Sequence, residues 1–171
     1  NKIITEIKPL WGDEIVARDI NDNGDVVGIM SRDPERLFKE YEGFIWHNGT
    51  TARLIGPGEE AYAYAVNNSG QIVGCTYTHA WGCIAIMWDD YGNTVKRLTP
   101  NIEGSSFAYD INNHGQIVGV VTKTNDGPYG FLLDGDKMTK LGNNFWPVSI
   151  NDNGEIVGYM NDQPKLWKDN I

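Results

Sequence analysis

The sequence predicts an all-β fold, a four-bladed β-propeller, on three observations. A ten-residue stretch recurs four times: DINDNGDVVG (19–28), AVNNSGQIVG (65–74), DINNHGQIVG (110–119) and SINDNGEIVG (149–158). The copies are spaced by about the forty to forty-five residues of a four-stranded blade. Six Trp, eight Tyr and twenty Gly make a composition suited to many short strands and tight turns.

Each copy opens on a strand that ends at a tight turn. Asn at the first turn position caps the turn through its side chain, and Gly at the fourth takes the left-handed conformation that closes it. Asn21, Asn67, Asn112 and Asn151 occupy the first place, and Gly24, Gly70, Gly115 and Gly154 the fourth. The first copy also spells the start of a calcium loop from Asp19, but a bidentate Glu is required at the twelfth place and Met30 stands there. The supposed first ligand is Asp19, Ala65, Asp110 and Ser149 in turn. What every copy keeps is what a turn needs.

The second strand carries a repeated Gly, Gly28, Gly74, Gly119 and Gly158. Gly weakens a strand, so its recurrence marks a place where a neighbouring chain comes too close for a Cβ. Another Gly precedes the first strand of each copy, Gly12, Gly58, Gly104 and Gly142, and marks the bend into it. A third, aromatic-rich strand follows, in FIWHNGT, AIMWDDYGNT, FLLDGDKMT and KLWKDN. A fourth closes on Leu in TARL, VKRL and MTKL, at Leu54, Leu98 and Leu141.

One domain, 1–171, thus divides into blades at about 11–54, 55–98, 99–141 and 142–171. The last blade lacks its fourth strand. Residues Lys2 to Leu10 finish on a Leu as the other fourth strands do, so they are expected beside Pro164 to Lys168, completing blade 4 and removing an open edge. Within the first strands, Val16, Tyr62, Phe107 and Trp146 alternate with Arg18, Tyr64, Tyr109 and Val148 and with Ile20 and its equivalents on one face, which should fill the space between blades. Ala17, Ala63, Ala108 and Pro147 lie on the other, and Arg18 is the exception on the bulky face.

The pattern A-x-x-I-N-x-x-G-x-I-V-G, carried as ARDINDNGDVVG, AYAVNNSGQIVG, AYDINNHGQIVG and PVSINDNGEIVG, resembles the HAF repeat of bacterial extracellular proteins. The His-Ala-Phe of that family is degraded here to EGF, CIAI, YGF and QPKL. The resemblance implies a secreted, propeller-like repeat domain and brings no catalytic residues. Localisation is accordingly expected to be extracellular or periplasmic, after removal of a signal peptide.

A net charge of -9 argues against nucleic acid, which needs a basic face, and no apolar run is long enough for membrane insertion by a helix. The three histidines, His47, His79 and His114, stand at unrelated repeat positions and form no ligand spacing. No metal ligand set and no catalytic residue is assigned, and no cofactor is expected beyond a cation near the axis, for which Glu14 and Glu60 hold equivalent positions.

Function is expected on the face where the variable loops gather. The candidates there are Trp11, Glu14, Glu60, His79, Trp81, Tyr129 and Trp146, rings that stack on sugars or anchor a protein and carboxylates at the ring entrance. The expected activity is that of a non-enzymatic binding module for a glycan or a protein surface; the alternatives are a carbohydrate-active enzyme using acidic loop residues, or a structural scaffold. Cys75 and Cys83 flank one loop of blade 2, where they can face each other and form a disulfide or remain two thiols.

Overall fold

Each repeat folds as an antiparallel sheet in which consecutive strands are neighbours. In the computed structural model, which describes residues 2–11, 14–31, 40–80, 82–100, 102, 104–122 and 127–168, blade 1 holds β1 (Ile15–Ile20), β2 (Val26–Ser31), β3 (Tyr41–His47) and β4 (Thr50–Leu54). Blade 2 holds β5 (Glu60–Val66), β6 (Ile72–Thr78), β7 (Gly82–Asp89) and β8 (Thr94–Arg97). Blade 3 holds β9 (Ser106–Ile111), β10 (Ile117–Val121), β11 (Tyr129–Asp134) and β12 (Lys137–Asn143). Blade 4 holds β13 (Phe145–Ile150), β14 (Ile156–Met160) and β15 (Gln163–Trp167). The first strands of successive blades pack on one another, β1 on β5, β5 on β9 and β9 on β13, so they surround the axis of a four-bladed β-propeller.

The recurring turn is as the sequence requires. Asn67 Oδ1 accepts from the N–H groups of Ser69 at 3.1 Å and Gln71 at 3.0 Å, and Gly70 N–H donates to the Asn67 carbonyl at 3.1 Å with Gly70 at φ 76°. The same side chain also donates to the carbonyl of Asn112 in the next blade, at 3.2 Å. Asn21 does so to Asn67 at 2.9 Å and Asn112 to Asn151 at 3.0 Å. One residue type therefore closes each turn and ties it to the following blade.

The strand glycines meet a backbone carbonyl. A Cβ on Gly28, Gly74, Gly119 or Gly158 would lie 2.0, 1.8, 2.1 or 2.2 Å from the carbonyl oxygen of Val16, Tyr62, Phe107 or Trp146. The cause is a β-bulge in every first strand: pairing skips Arg18, Tyr64, Tyr109 and Val148 and tilts the preceding carbonyl toward the second strand. Gly58 and Gly104 stand at bends as expected, Gly104 at φ 106°, while Gly12 lies outside the described residues.

Two expectations are corrected. The bulge reverses the alternation, so Ile20 and its equivalents share a face with Ala17, Ala63, Ala108 and Pro147, and this small face, with Ala63 and Ala108 fully buried, enters the junctions between blades. The bulky residues Tyr62, Tyr64, Phe107, Tyr109 and Trp146 are only half-buried. Each junction core is instead aliphatic around one large ring: Val27, Ile45 and Leu54 of blade 1 pack on Ala63, Val66, Ile72 and Trp88 of blade 2, and Ala65, Val73, Ala85 and Leu98 pack on Ala108, Ile111, Ile117 and Phe131.

The second correction concerns the first residues. Residues 2–10 form no strand and do not join blade 4. They run along blade 1, where Ile7 packs on Val26, Met30 and Phe44, and the Lys8 carbonyl accepts from Thr51 Oγ1 at 2.8 Å. They cover an apolar face of blade 1 that the repeat elsewhere buries against the preceding blade.

Candidate functional site

The loop-side end of the axis collects rings and ionisable groups from blades 1 to 3. Each arises from strand geometry: β5 and its partners β6 and β7 point Glu60, Tyr62, Cys75, Tyr77 and Cys83 to one face of blade 2. Tyr64 and Tyr109 are the residues that strand pairing skips in β5 and β9. Tyr62 OH donates to the Glu60 carboxylate, the Tyr41 and Tyr62 rings lie 6.3 Å apart, Tyr64 and Tyr109 5.9 Å, and Phe107 stacks on Tyr109 at 6.1 Å.

Burial governs the ionisation of this cluster. It pushes Tyr62 and Tyr64 well up, helped by Glu60 beside Tyr62 and Cys75 beside Tyr64, and pushes Tyr109 up to about 12. All three phenols are hydrogen-bond donors at neutral pH.

Cys75 pairs with Ala85 and Cys83 with Tyr77, so the two cysteines are diagonal neighbours rather than opposite ones. Both are free thiols. In this register they are not the directly facing pair that a bridge across the hairpin would join. The hydrogen bond between the thiols, with burial, raises Cys75, whose sulfur also meets Tyr64 OH at 3.6 Å; the same bond lowers Cys83. Because the thiolate is the nucleophile, iodoacetamide should alkylate Cys83 first on the native protein and buried Cys75 only after unfolding, a sequence readable by peptide mass spectrometry. Two thiols should titrate under denaturing, non-reducing conditions.

The other residues expected in a site are dispersed. Trp11 is exposed beneath Arg53, whose guanidinium carbon is 6.0 Å from the ring and which pairs with the buried Glu42. Glu14 is half-buried, and its carbonyl accepts from Ser31 N–H at 2.9 Å. His79 is exposed and pairs with Glu59 at 2.9 Å. Tyr129 lies under Lys140 Nζ, 4.6 Å from its centroid. Trp146 stacks on Tyr159 at 6.2 Å, and Trp81 lies outside the described residues. Only Glu60 belongs to the axial cluster. Tyr62, Tyr64 and Tyr109 were missed as site residues because alternation assigned them to the junction core; the recurrent strand Gly, which betrays the bulge, was the available signal.

The opposite end of the axis holds a cavity of about 340 Å³ lined by the four Asn turns and by Asp19, Asp22 and Asp152. Two carboxylates of the first strands serve the fold: Asp19, which lines the cavity, accepts at Oδ2 from Val66 N–H at 2.8 Å, and Asp110 Oδ2 accepts from Ile150 N–H at 2.8 Å and Ser149 Oγ at 2.6 Å. Burial raises Asp110 despite these bonds, and Asp19 adds to the rise. A carboxyl whose pKa is higher folded than unfolded contributes stability below the unfolded value and loses it as pH rises through the folded one. Asp110→Asn, which keeps an acceptor for Ile150, should therefore gain melting temperature relative to the parent between pH 4 and 7 in a pH series of thermal melts. Among the described residues no group of three or more His, Cys, Asp or Glu is placed to hold a metal, and no helix is long and apolar enough to cross a membrane.

The Pyrococcus horikoshii acylaminoacyl peptidase, in an orthorhombic crystal form, is similar in structure, with a TM-score of 0.59 and 15% identity. The match covers 85% of this chain and 24% of that one, so this chain spans about a quarter of its length, and the likeness is one of fold. No curated protein matches. Residues 11–141, which are blades 1 to 3, match the family described as a protein of unknown function, DUF3466, and the chain belongs to that family.

Proposed function

We propose that the protein is a non-enzymatic binding module that takes a glycan at the loop-side mouth of the axis, outside the cell. The observation that carries this reading is the half-buried set of Tyr62, Tyr64, Phe107 and Tyr109 beside Glu60. Half-buried rings keep a fixed orientation while offering a face, and a sugar presents apolar C–H faces to rings and hydroxyls to a carboxylate. The net charge of -9 favours a neutral or basic sugar over an acidic one. Glu60 is engaged by the Tyr62 hydroxyl, which suits a positioning acceptor better than an acid catalyst. The likeness of the repeat to HAF sequences supports an extracellular setting.

A glycan array followed by calorimetry tests this. A neutral or amino-sugar oligosaccharide should bind, and Tyr109→Ala should weaken it about tenfold, the effect of roughly 1.4 kcal/mol. Binding that survives Tyr109→Ala unchanged, or no binding on the array, sinks the reading and turns attention to a protein ligand.

A further inference from the structure

Arg53 on β4 and Arg97 on β8 hold the same place in their repeats, and both line a cavity of about 700 Å³ on the outer rim where blades 1 and 2 meet. Ile55 and Val95 give it apolar walls, and Gly56 and Gly92 add bare backbone. No Asp or Glu lines it, although the chain carries 23 acidic residues against 14 Lys and Arg. A cationic recess here is built against the prevailing charge.

The repeat supplies an internal comparison. At the next junction Thr99 stands in the place of Ile55, buried and hydrogen-bonded to Ser106 Oγ at 2.7 Å. Met138, in the place of Val95, packs on the junction core together with Ile102, and Lys140, in the place of Arg97, lies over the Tyr129 ring. Ile55 is instead 60% exposed and Val95 43%. The first junction thus leaves open a rim that the second fills with its own side chains. That open rim is also fixed in shape: Trp88 Nε1 donates to the Ile55 carbonyl at 2.8 Å, and a Cβ on Gly92 or Gly56 would meet Leu54 at 2.5 Å or Thr76 at 2.8 Å, so both segments are seated on the core. Arg53 is held from behind by the buried Glu42 carboxylate. Arg97 is exposed and makes no ion pair or side-chain hydrogen bond among the described residues.

We propose that this cavity binds a small organic acid, a carboxylate carried on an aliphatic body. Arg97 takes the carboxylate through its planar fork of N–H donors, Arg53 adds its charge from the neighbouring blade, and the body lies on Ile55 and Val95. The volume falls within the range of about 300 to 1,000 Å³ found for small-molecule sites, more than a bare inorganic anion fills. No aromatic ring lines the cavity, which favours an aliphatic body over a sugar. The acidic remainder of the surface does not prevent binding, because at physiological salt charges beyond about 8 Å are largely screened and the two guanidinium groups act locally. The site shares no residue with the mouth of the axis, so this inference does not depend on the glycan reading.

Titration of the isotope-labelled protein with octanoate and with 4-methylpentanoate, followed by amide NMR, is the test. Shifts should centre on Gly56, Gly92 and the backbone of β8. Octanamide, with the body but no charge, and acetate, with the charge but little body, should each bind at least about tenfold more weakly than octanoate. Arg97→Gln should weaken octanoate about tenfold and Arg97→Lys by less, and Val95→Glu should abolish its binding. Both positions are exposed in the folded chain, so these variants should fold, whereas Arg53 is left in place because it neutralises the buried Glu42. No binding by either acid, binding that Arg97→Gln and Val95→Glu leave unchanged, or octanamide binding as tightly as octanoate overturns the proposal.

Discussion

Gly74→Ala is expected to destabilise the protein by about 3 kcal/mol or more, and Gly74→Val to prevent folding at 37 °C. The added Cβ would sit 1.8 Å from the Tyr62 carbonyl oxygen and 2.9 Å from its carbon. Both are backbone atoms, so no rotamer change relieves the clash. The bulge itself would have to straighten, and the first strand would then lose the register that buries Ala63, Ala65 and Val66. Overpacking in a core costs about 1 to 3 kcal/mol where side chains can yield; here they cannot, which places the effect at the upper end or beyond. Gly119→Ala should behave alike, its Cβ meeting the Phe107 carbonyl at 2.1 Å and the Phe131 ring at 2.6 Å. Gly49→Ala is the internal control. It sits at φ 79° with open space around its Cβ position, so its cost is that of the left-handed conformation alone, about 1 kcal/mol. Urea melts of the three variants decide the order; a Gly74→Ala protein as stable as Gly49→Ala would refute the bulge as the reason for the repeated glycine.

The bulge also explains what could be read in the sequence and what could not. Turn Asn, turn Gly and strand Gly are residue types forced by backbone geometry, and four copies exposed them. Strand order and blade number followed from the same repetition. The bulge is a matter of pairing, and Arg18, Tyr64, Tyr109 and Val148 share no chemistry that marks a skipped position. Strict alternation therefore put the aromatics in the junctions and the alanines outside them, the reverse of what the structure holds. The candidate site suffered accordingly: Glu60 was found, but its ring partners were not.

Closure is illegible for a different reason. A blade count gives no angle between blades, and the angle decides whether the last blade reaches the first. Residues 2–10 have the pattern of a fourth strand, yet they form none and lie along blade 1, and pattern alone does not say which surface such a segment covers. The cysteines were left with two readings for the same kind of reason, since the register of one hairpin separates facing cysteines from diagonal ones.

The Asn ladder allows a comparison within one molecule. Asn112→Ala is expected to cost about 3 to 4 kcal/mol and Asn151→Ala about 1 kcal/mol, although both remove the capping residue of the same turn. Asn112 is buried; its Oδ1 accepts from His114 N–H at 3.1 Å and Gln116 N–H at 2.9 Å, and its Nδ2 serves Gln116 Oε1 at 2.8 Å as well as the Asn151 carbonyl. Truncation leaves these groups without partners at a place water reaches poorly, and each orphaned group costs about 1 to 3 kcal/mol. Asn151 caps Asn153 N–H and Glu155 N–H at 3.0 Å each, but it is exposed and reaches no other blade, so water replaces what is lost. Asn112→Asp separates the two duties of the side chain. It keeps both acceptor bonds of the turn while removing the amide that crosses to blade 4, and it sets a negative charge beside the Asn151 carbonyl. If the turn alone mattered, Asn112→Asp would melt like the parent; the ladder requires it to fall at least halfway to Asn112→Ala.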